Sequence, residues 1–211
     1  VNHTNYSPLV RSLIVALDDW VKTEKTPPVS VYPTFKNGTL VNWTADATNW
    51  QSINNIDYPK VIQQAYTANF GENFDKIKHI TQHPPIIQKK YPNYVAKLDP
   101  DNNEMDMLQV PSVSVPTGTY TGWNLRTKVM GSAGDLLRLT GGYIPFGKTK
   151  KERLSNGDAR LSIKERYANY PTYLSAYEKA TKELVKGGYL LEEEVEEILK
   201  LAHKNKGLIE W

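Results

Sequence analysis

The chain has 211 residues, a net charge of +3 from 26 basic and 23 acidic side chains, and no cysteine, so disulfides and thiol chemistry are excluded. Its charges are interspersed, which disfavours nucleic acid as a partner, and no apolar run reaches membrane-spanning length. With 39% hydrophobic residues and a mean hydropathy of -0.54, the chain is less apolar than an average globular domain, so either its surface is extensive or some apolar faces belong to a partner.

The first predicted element is a helix from Ser7, with Ser7 as its cap and Pro8 at its first position. Leu9, Leu13, Ala16, Leu17 and Trp20 recur at helical spacing, while Arg11, Asp18, Asp19 and Lys22 face away. Val10, Ile14 and Val21 widen the apolar stripe beyond what a peripheral helix needs, so the helix is expected to pack on a substantial surface. Pro27-Pro28 directs the chain into an extended segment, Val29 to Phe35, which a turn at Lys36-Asn37-Gly38 closes. From Leu40 to Gln64 the aromatics Trp43, Trp50 and Tyr58 follow no sustained period and predict an irregular arm pinned to the body by its rings. A weak helix or strand follows from Tyr66 to Ile80, ended by Pro84-Pro85.

Tyr94 to Leu98 and Met105 to Val110 flank the polar run Asp99 to Glu104 as in a hairpin, and Val113 and Val115 are expected to continue as strand. After Arg126 come Leu136, Leu137 and Leu139, then a rigid apolar turn from Gly141 to Gly147 and a basic, polar loop from Lys148 to Arg160. Ser162 to Glu165 form a capping box for a short helix ending near Tyr170-Pro171. Thr172 is placed to cap the next helix, with Leu174, Tyr177, Ala180, Leu184 and Val185 on one side and Gly187-Gly188 at its end. A last helix from Leu190 starts acidic, through Glu197, and ends basic, with Lys200, His203, Lys204 and Lys206.

The sequence contains no G-x-S-x-G nucleophile elbow, Rossmann fingerprint or phosphate-cradling loop. His79 and His83 have a metal-binding spacing, but no Glu follows His79 and Pro84 cuts the helix short, so they read as polar surface residues and no metal site is assigned. Asp99, Asp101 and Asn103 resemble the start of a calcium loop, yet Glu104 stands where Gly is needed and Val110 where a bidentate Glu belongs; the segment reads as a turn. The Glu192 to Glu197 cluster reads as a solvated helix start. Lys148, Lys150, Lys151 and Arg153 read as a solvated loop with an anion site as the alternative. No cofactor is expected. Four N-glycosylation sequons, at Asn2, Asn5, Asn37 and Asn42, are attributed to chance in a chain with 16 asparagines.

One stretch concentrates recognition chemistry: Pro116 to Arg126, with Tyr120, Trp123, Asn124 and Arg126 within seven positions. Gly118 and Gly122 are expected to supply positive-φ backbone. In one reading Tyr120, Trp123, Asn124 and Arg126 line a substrate cleft, the first two giving aromatic surface, Asn124 a polar contact and Arg126 a cation for a carboxylate. In the other they form a buried corner in which Trp123 packs, Asn124 bonds to backbone and Arg126 pairs with an acid. Neither reading supplies a catalytic group.

Several segments together, Tyr6 to Val21 with Pro27-Pro28, Val115 to Arg126, Leu139 to Gly147 with Lys150, Glu152 and Arg153, and Asp158 to Tyr167, resemble the C-terminal part of a family of large bacterial proteins, the alpha/beta-hydrolase-domain proteins. The most specific piece is Thr119 to Arg126. The resemblance implies an α/β fold class, the C-terminal portion of a hydrolase-like fold with its closing helix in residues 1–24; the residues add an extended arm over 25–126 with short strands, a β-hairpin and the aromatic motif, and a loop-rich and helical C-terminal extension over 127–211. It further implies that the nucleophilic Ser and the His belong to a preceding N-terminal hydrolase segment or chain; His3 lies where the family has a linker and is not assigned as the base. The expected function is that of an esterase-type serine hydrolase acting on a small-molecule ester or amide, with a non-enzymatic binding or structural module as the alternative. The sequence opens at Val1 without an initiator Met or signal-peptide pattern, and preceding residues are expected. Location stays open, with export expected ahead of the cytoplasm.

Overall fold

The computed structural model describes residues 1–137 and 140–209. Leu139, one of the apolar positions singled out above, lies outside the described residues. The first helix, α1 (Ser7–Thr23), carries Pro8 in its first turn, where a missing N–H costs no internal bond. Ser7 is inside the helix rather than its cap, and its N–H donates to Asn5 Oδ1 at 3.1 Å. Glu24 ends the helix in the left-handed region at φ 59, three residues ahead of Pro27.

Only one side of α1 packs inward. Pro8, Leu9 and Ser12 are buried, the Ser12 hydroxyl donates to Gly188 O at 2.9 Å, and Arg11 makes a two-pronged pair with Glu194. The adjacent stripe of Val10, Leu13, Ile14, Leu17, Trp20 and Val21 is 45% to 76% exposed. The apolar periodicity therefore spans two faces, and the wider one is uncovered.

The arm that follows contains β1 (Leu40–Asn42), α2 (Ala45–Thr48), β2 (Tyr66–Asn69), α3 (Phe74–Ile77), β3 (Ile86–Lys90) and β4 (Tyr94–Ala96). The turn before β1 is present, with Gly38 at φ 68. β1 pairs with β4 and β2 with β3, both antiparallel, and every residue of β3 is exposed. Aromatic rings pin the arm as expected: Trp50 and Tyr58 meet Trp123 at 5.5 and 5.6 Å between centroids, and Phe35 meets Tyr94 edge-on at 4.7 Å. Asp99 to Asn103 form the predicted turn, with Asp99 Oδ1 accepting from the N–H groups of Asp101 and Asn103 at 2.8 and 2.9 Å.

The expected strand through Val113 is instead a helix, α4 (Pro111–Ser114), because Pro111 fits a helix start and supplies no ladder N–H. Next come β5 (Gly118–Tyr120), β6 (Asn124–Leu125), a 3-10 turn (Lys128–Met130), β7 (Leu136–Leu137) and β8 (Tyr143–Pro145). β5 pairs with β8, Thr119 facing Ile144, and β6 pairs with β7, Asn124 facing Leu137. Thus the apolar turn expected at 141–147 is half of a strand pair, the period-two signal being too short to read. The content is mixed helix and strand, as an α/β class implies. Its sheets are two-stranded antiparallel pairs, with no larger parallel sheet among the described residues.

The loop expected at 148–160 holds a helix, α5 (Lys150–Ser155), capped by Thr149, whose side chain accepts from Glu152 N. The capping box is present at α6 (Ile163–Arg166), which ends four residues earlier than expected. Asn169, not Thr172, caps α7 (Tyr170–Lys186): its side chain takes both the N–H and the hydroxyl of Thr172. After a 3-10 turn at Glu192–Glu194, α8 (Val195–Lys204) and α9 (Lys206–Ile209) fold back on α7. Tyr173, Tyr177, Thr181, Ile198 and Ala202 are at most 3% exposed and form the centre of the core with Phe146 and Ile163.

Candidate ligand cleft beside Trp123 and Arg126

The stretch from Pro116 to Arg126 is held from beneath by a polar frame. Thr119 is fully buried, and its hydroxyl receives Arg160 Nη1 at 2.8 Å and donates to Asp101 O. Arg160, 3% exposed, also donates to the carbonyls of Ile144 and Pro145 and pairs with both oxygens of Asp158. Burial pushes the Asp158 carboxyl up, but the Arg160 bonds outweigh it and hold the group below its ordinary range. Arg166 pairs with Asp101 and lies 4.2 Å from the Phe146 ring centroid. Arg153 clasps Glu165 at 2.6 and 2.9 Å; with the Ser162 hydroxyl and N–H it holds that carboxyl down to about 2. Arg153 and Arg160 thus leave the solvated basic loop that their sequence position suggests. Only the i, i+2 placement of Asp158 and Arg160 signals the pairing.

The two glycines act differently from expectation. Neither Gly118 nor Gly122 has a positive φ. Gly118 is required by close approach, since a Cβ there would meet Ile144 O at 2.5 Å across the strand pair. A Cβ on Gly122 would meet nothing nearer than Glu104 Oε1, at 3.9 Å. The partly buried Glu104 carboxyl is pushed up by burial alone, which its place in a turn does not signal.

The motif's four singled-out side chains divide into two groups. Tyr120 stacks on Tyr143 at 5.1 Å, its N–H donates to Asn103 Oδ1, and burial pushes its phenol up to about 12. Trp123, Asn124 and Arg126 share a cleft of about 640 Å³ with Tyr58, Leu125 and Asp135, which Tyr120 does not line. The volume suits a small organic molecule. Beyond Arg126 a recess of about 340 Å³ is lined by Val61, Ile62, Gln63 and Leu136.

Within this cleft the buried-corner reading is met in part. Trp123 packs on Trp50 and Tyr58, and Asn124 Oδ1 accepts from Leu125 N at 2.9 Å. Among the described residues Arg126 pairs with no acid, and its Nε is closed off from solvent without a hydrogen-bond partner. Its backbone, by contrast, is fixed, with N–H to Asp135 O at 2.9 Å and C=O from Gly134 N at 3.2 Å.

A second cleft, about 440 Å³ between α1 and the end of α7, has Asp19 paired with Lys25 at 3.3 Å and the Ser12 hydroxyl bonded to Gly188 O. His79 and His83 are exposed, and no group of three or more acidic or histidine side chains suited to a metal occurs among the described residues. No described helix is long and apolar enough to cross a membrane.

A protein-family model described as an alpha/beta hydrolase domain matches residues 1–200. No curated protein and no solved structure matches the chain.

Proposed function

Because this chain belongs to the alpha/beta hydrolase domain family, we propose that it is the cleft-shaping C-terminal portion of an esterase-type serine hydrolase that cleaves a small-molecule ester or amide. The observation that carries the reading is the exposed stripe of α1, six large apolar side chains on a helix whose other face is already packed. Covering such side chains is worth roughly 1.5–3 kcal/mol each, which suits a helix that closes the side of a hydrolase sheet.

In that assembly the nucleophilic Ser and its His come from residues preceding Val1, in keeping with the absence of a nucleophile elbow from this sequence. The Ser attacks the scissile carbonyl, the His takes its proton and returns it to the leaving group, and backbone N–H groups hold the oxyanion. This chain contributes the substrate wall: Trp123 gives an aromatic surface, Asn124 an amide and Arg126 a cation, while Tyr120 sits outside the cleft on β5 against Tyr143. The polar frame of Arg160, Asp158 and Thr119 keeps that wall in place.

A fluorophosphonate probe tests the assignment. The chain joined to its N-terminal hydrolase segment should be labelled on serine, and the chain alone should not. Labelling of the chain alone would move the nucleophile into these 211 residues and end the proposal. Absence of labelling in both would leave the non-enzymatic module as the better account.

A further inference from the structure

Arg126 is a cation held by its backbone in the wall of the cleft, and its Nε is shut off from solvent with no hydrogen-bond partner among the described residues. A partly buried guanidinium is ordinarily neutralised by a carboxylate. The acids nearest the cleft do not do so. Asp135 lines the same cleft without pairing with Arg126, and Asp57 is taken by Lys60 at 3.9 Å. Among the other described residues the buried or half-buried arginines, Arg153, Arg160 and Arg166, each clasp a carboxylate. Arg126 is the exception to that pattern.

We propose that the cleft binds a ligand whose single carboxylate is clasped by Arg126, with Asn124 beside it and the ligand's aryl or alkyl body lying against Trp123, Tyr58 and Leu125. The charge lining the cleft favours one negative charge over several. Arg126, Lys60 and Lys128 stand against Asp57 and Asp135, a surplus of one cation, too small for a polyphosphate or a nucleic acid. The planar guanidinium fork matches a carboxylate through two parallel hydrogen bonds. The inference rests on reading this cleft as the substrate wall, and it gives that substrate a class: an ester or amide that also carries a free carboxylate.

Calorimetric titration of the full chain with 3-phenylpropionate and with its neutral isostere 3-phenylpropionamide tests it. The carboxylate is expected to bind about tenfold more tightly. In Arg126→Gln that preference should vanish, and Arg126→Lys, which keeps the charge but not the fork, should retain part of it. Amide binding by Arg126→Gln also shows that the cleft has folded. If the two probes bind the parent chain equally, or if the preference survives in Arg126→Gln, the carboxylate assignment is overturned and the cleft remains a substrate wall. If neither probe binds, both the inference and the reading of the cleft beneath it fall.

Discussion

Helices α1 and α7 each have 17 residues, and their fates are opposite to what their side chains suggest. α1 has Val, Leu, Ile and Trp along a continuous stripe, and most of that stripe faces outward. α7 has tyrosines, two threonines and several charges, yet Tyr173, Tyr177 and Thr181 are sealed in the core with the Thr181 hydroxyl bonded to Tyr177 O at 2.8 Å. Hydrophobicity sets what burial would be worth; a complementary surface decides whether it happens. α7 finds one in α4, α8 and α9, whereas α1 buries Pro8, Leu9 and Ser12 and leaves the rest of its stripe uncovered.

The sharpest way to test the packed side of that comparison is to strip the frame beneath the motif. Asp158→Ala leaves the Arg160 guanidinium, 2% exposed, without its carboxylate, and should cost about 3–5 kcal/mol in chemical denaturation. Ile198→Ala, a cavity at the α7–α8 contact, should follow at about 2–4 kcal/mol. If both changes fell within about 0.5 kcal/mol of the parent, as ordinary surface substitutions do, the C-terminal helices would not be the stable half of the molecule.

A smaller effect is visible through pH. Glu165 has an ordinary value of 4.5 and is held down to about 2 in the folded chain by Arg153 and Ser162. A depressed carboxyl stabilises the fold above its unfolded value, and that contribution is lost as pH falls towards the folded one. The stability difference between the parent and Glu165→Gln should therefore be constant near neutrality and close between about 4.5 and 2. A gap that persists unchanged into strong acid would show that the Arg153 clasp does not form in solution.

These contrasts also explain what could be read from the sequence. The start of α1, the Asp99 turn, the α6 capping box and the glycines after α7 were legible because each depends on local chemistry: a proline, an Asx side chain, a Ser-x-x-Glu spacing, a left-handed Gly188. β5 and β8 were not, since Thr119 meets Ile144 across 25 residues and three-residue strands carry almost no period. Thr181 and Tyr173 were missed as core because polar atoms hid their burial, and both satisfy those atoms, Tyr173 through Asn205 Nδ2 at 2.8 Å. At the cleft the sequence named Trp123, Asn124 and Arg126 together, but whether Arg126 had a partner depended on where Asp135 and Asp57 came to lie. Glu104 and Arg160 were passed over because burial, unlike residue type, is a property of the folded chain.

The smallest expected change in stability bears most directly on function. Leu17→Asp with Val21→Asp alters two side chains that are 53% and 76% exposed, so the chain by itself should unfold within about 0.5 kcal/mol of the parent. In the longer polypeptide that includes the hydrolase segment, the same two carboxylates would have to be buried without partners, at a cost of several kcal/mol. Serine labelling by the fluorophosphonate probe should then be lost or appear only in misfolded material. A double variant that labels and melts like the parent in the long polypeptide would mean the stripe faces water there as well, and the closing-helix role of α1 would have to be abandoned. Unlike the core variants, this pair separates a helix that is poorly packed from one that is packed against something else.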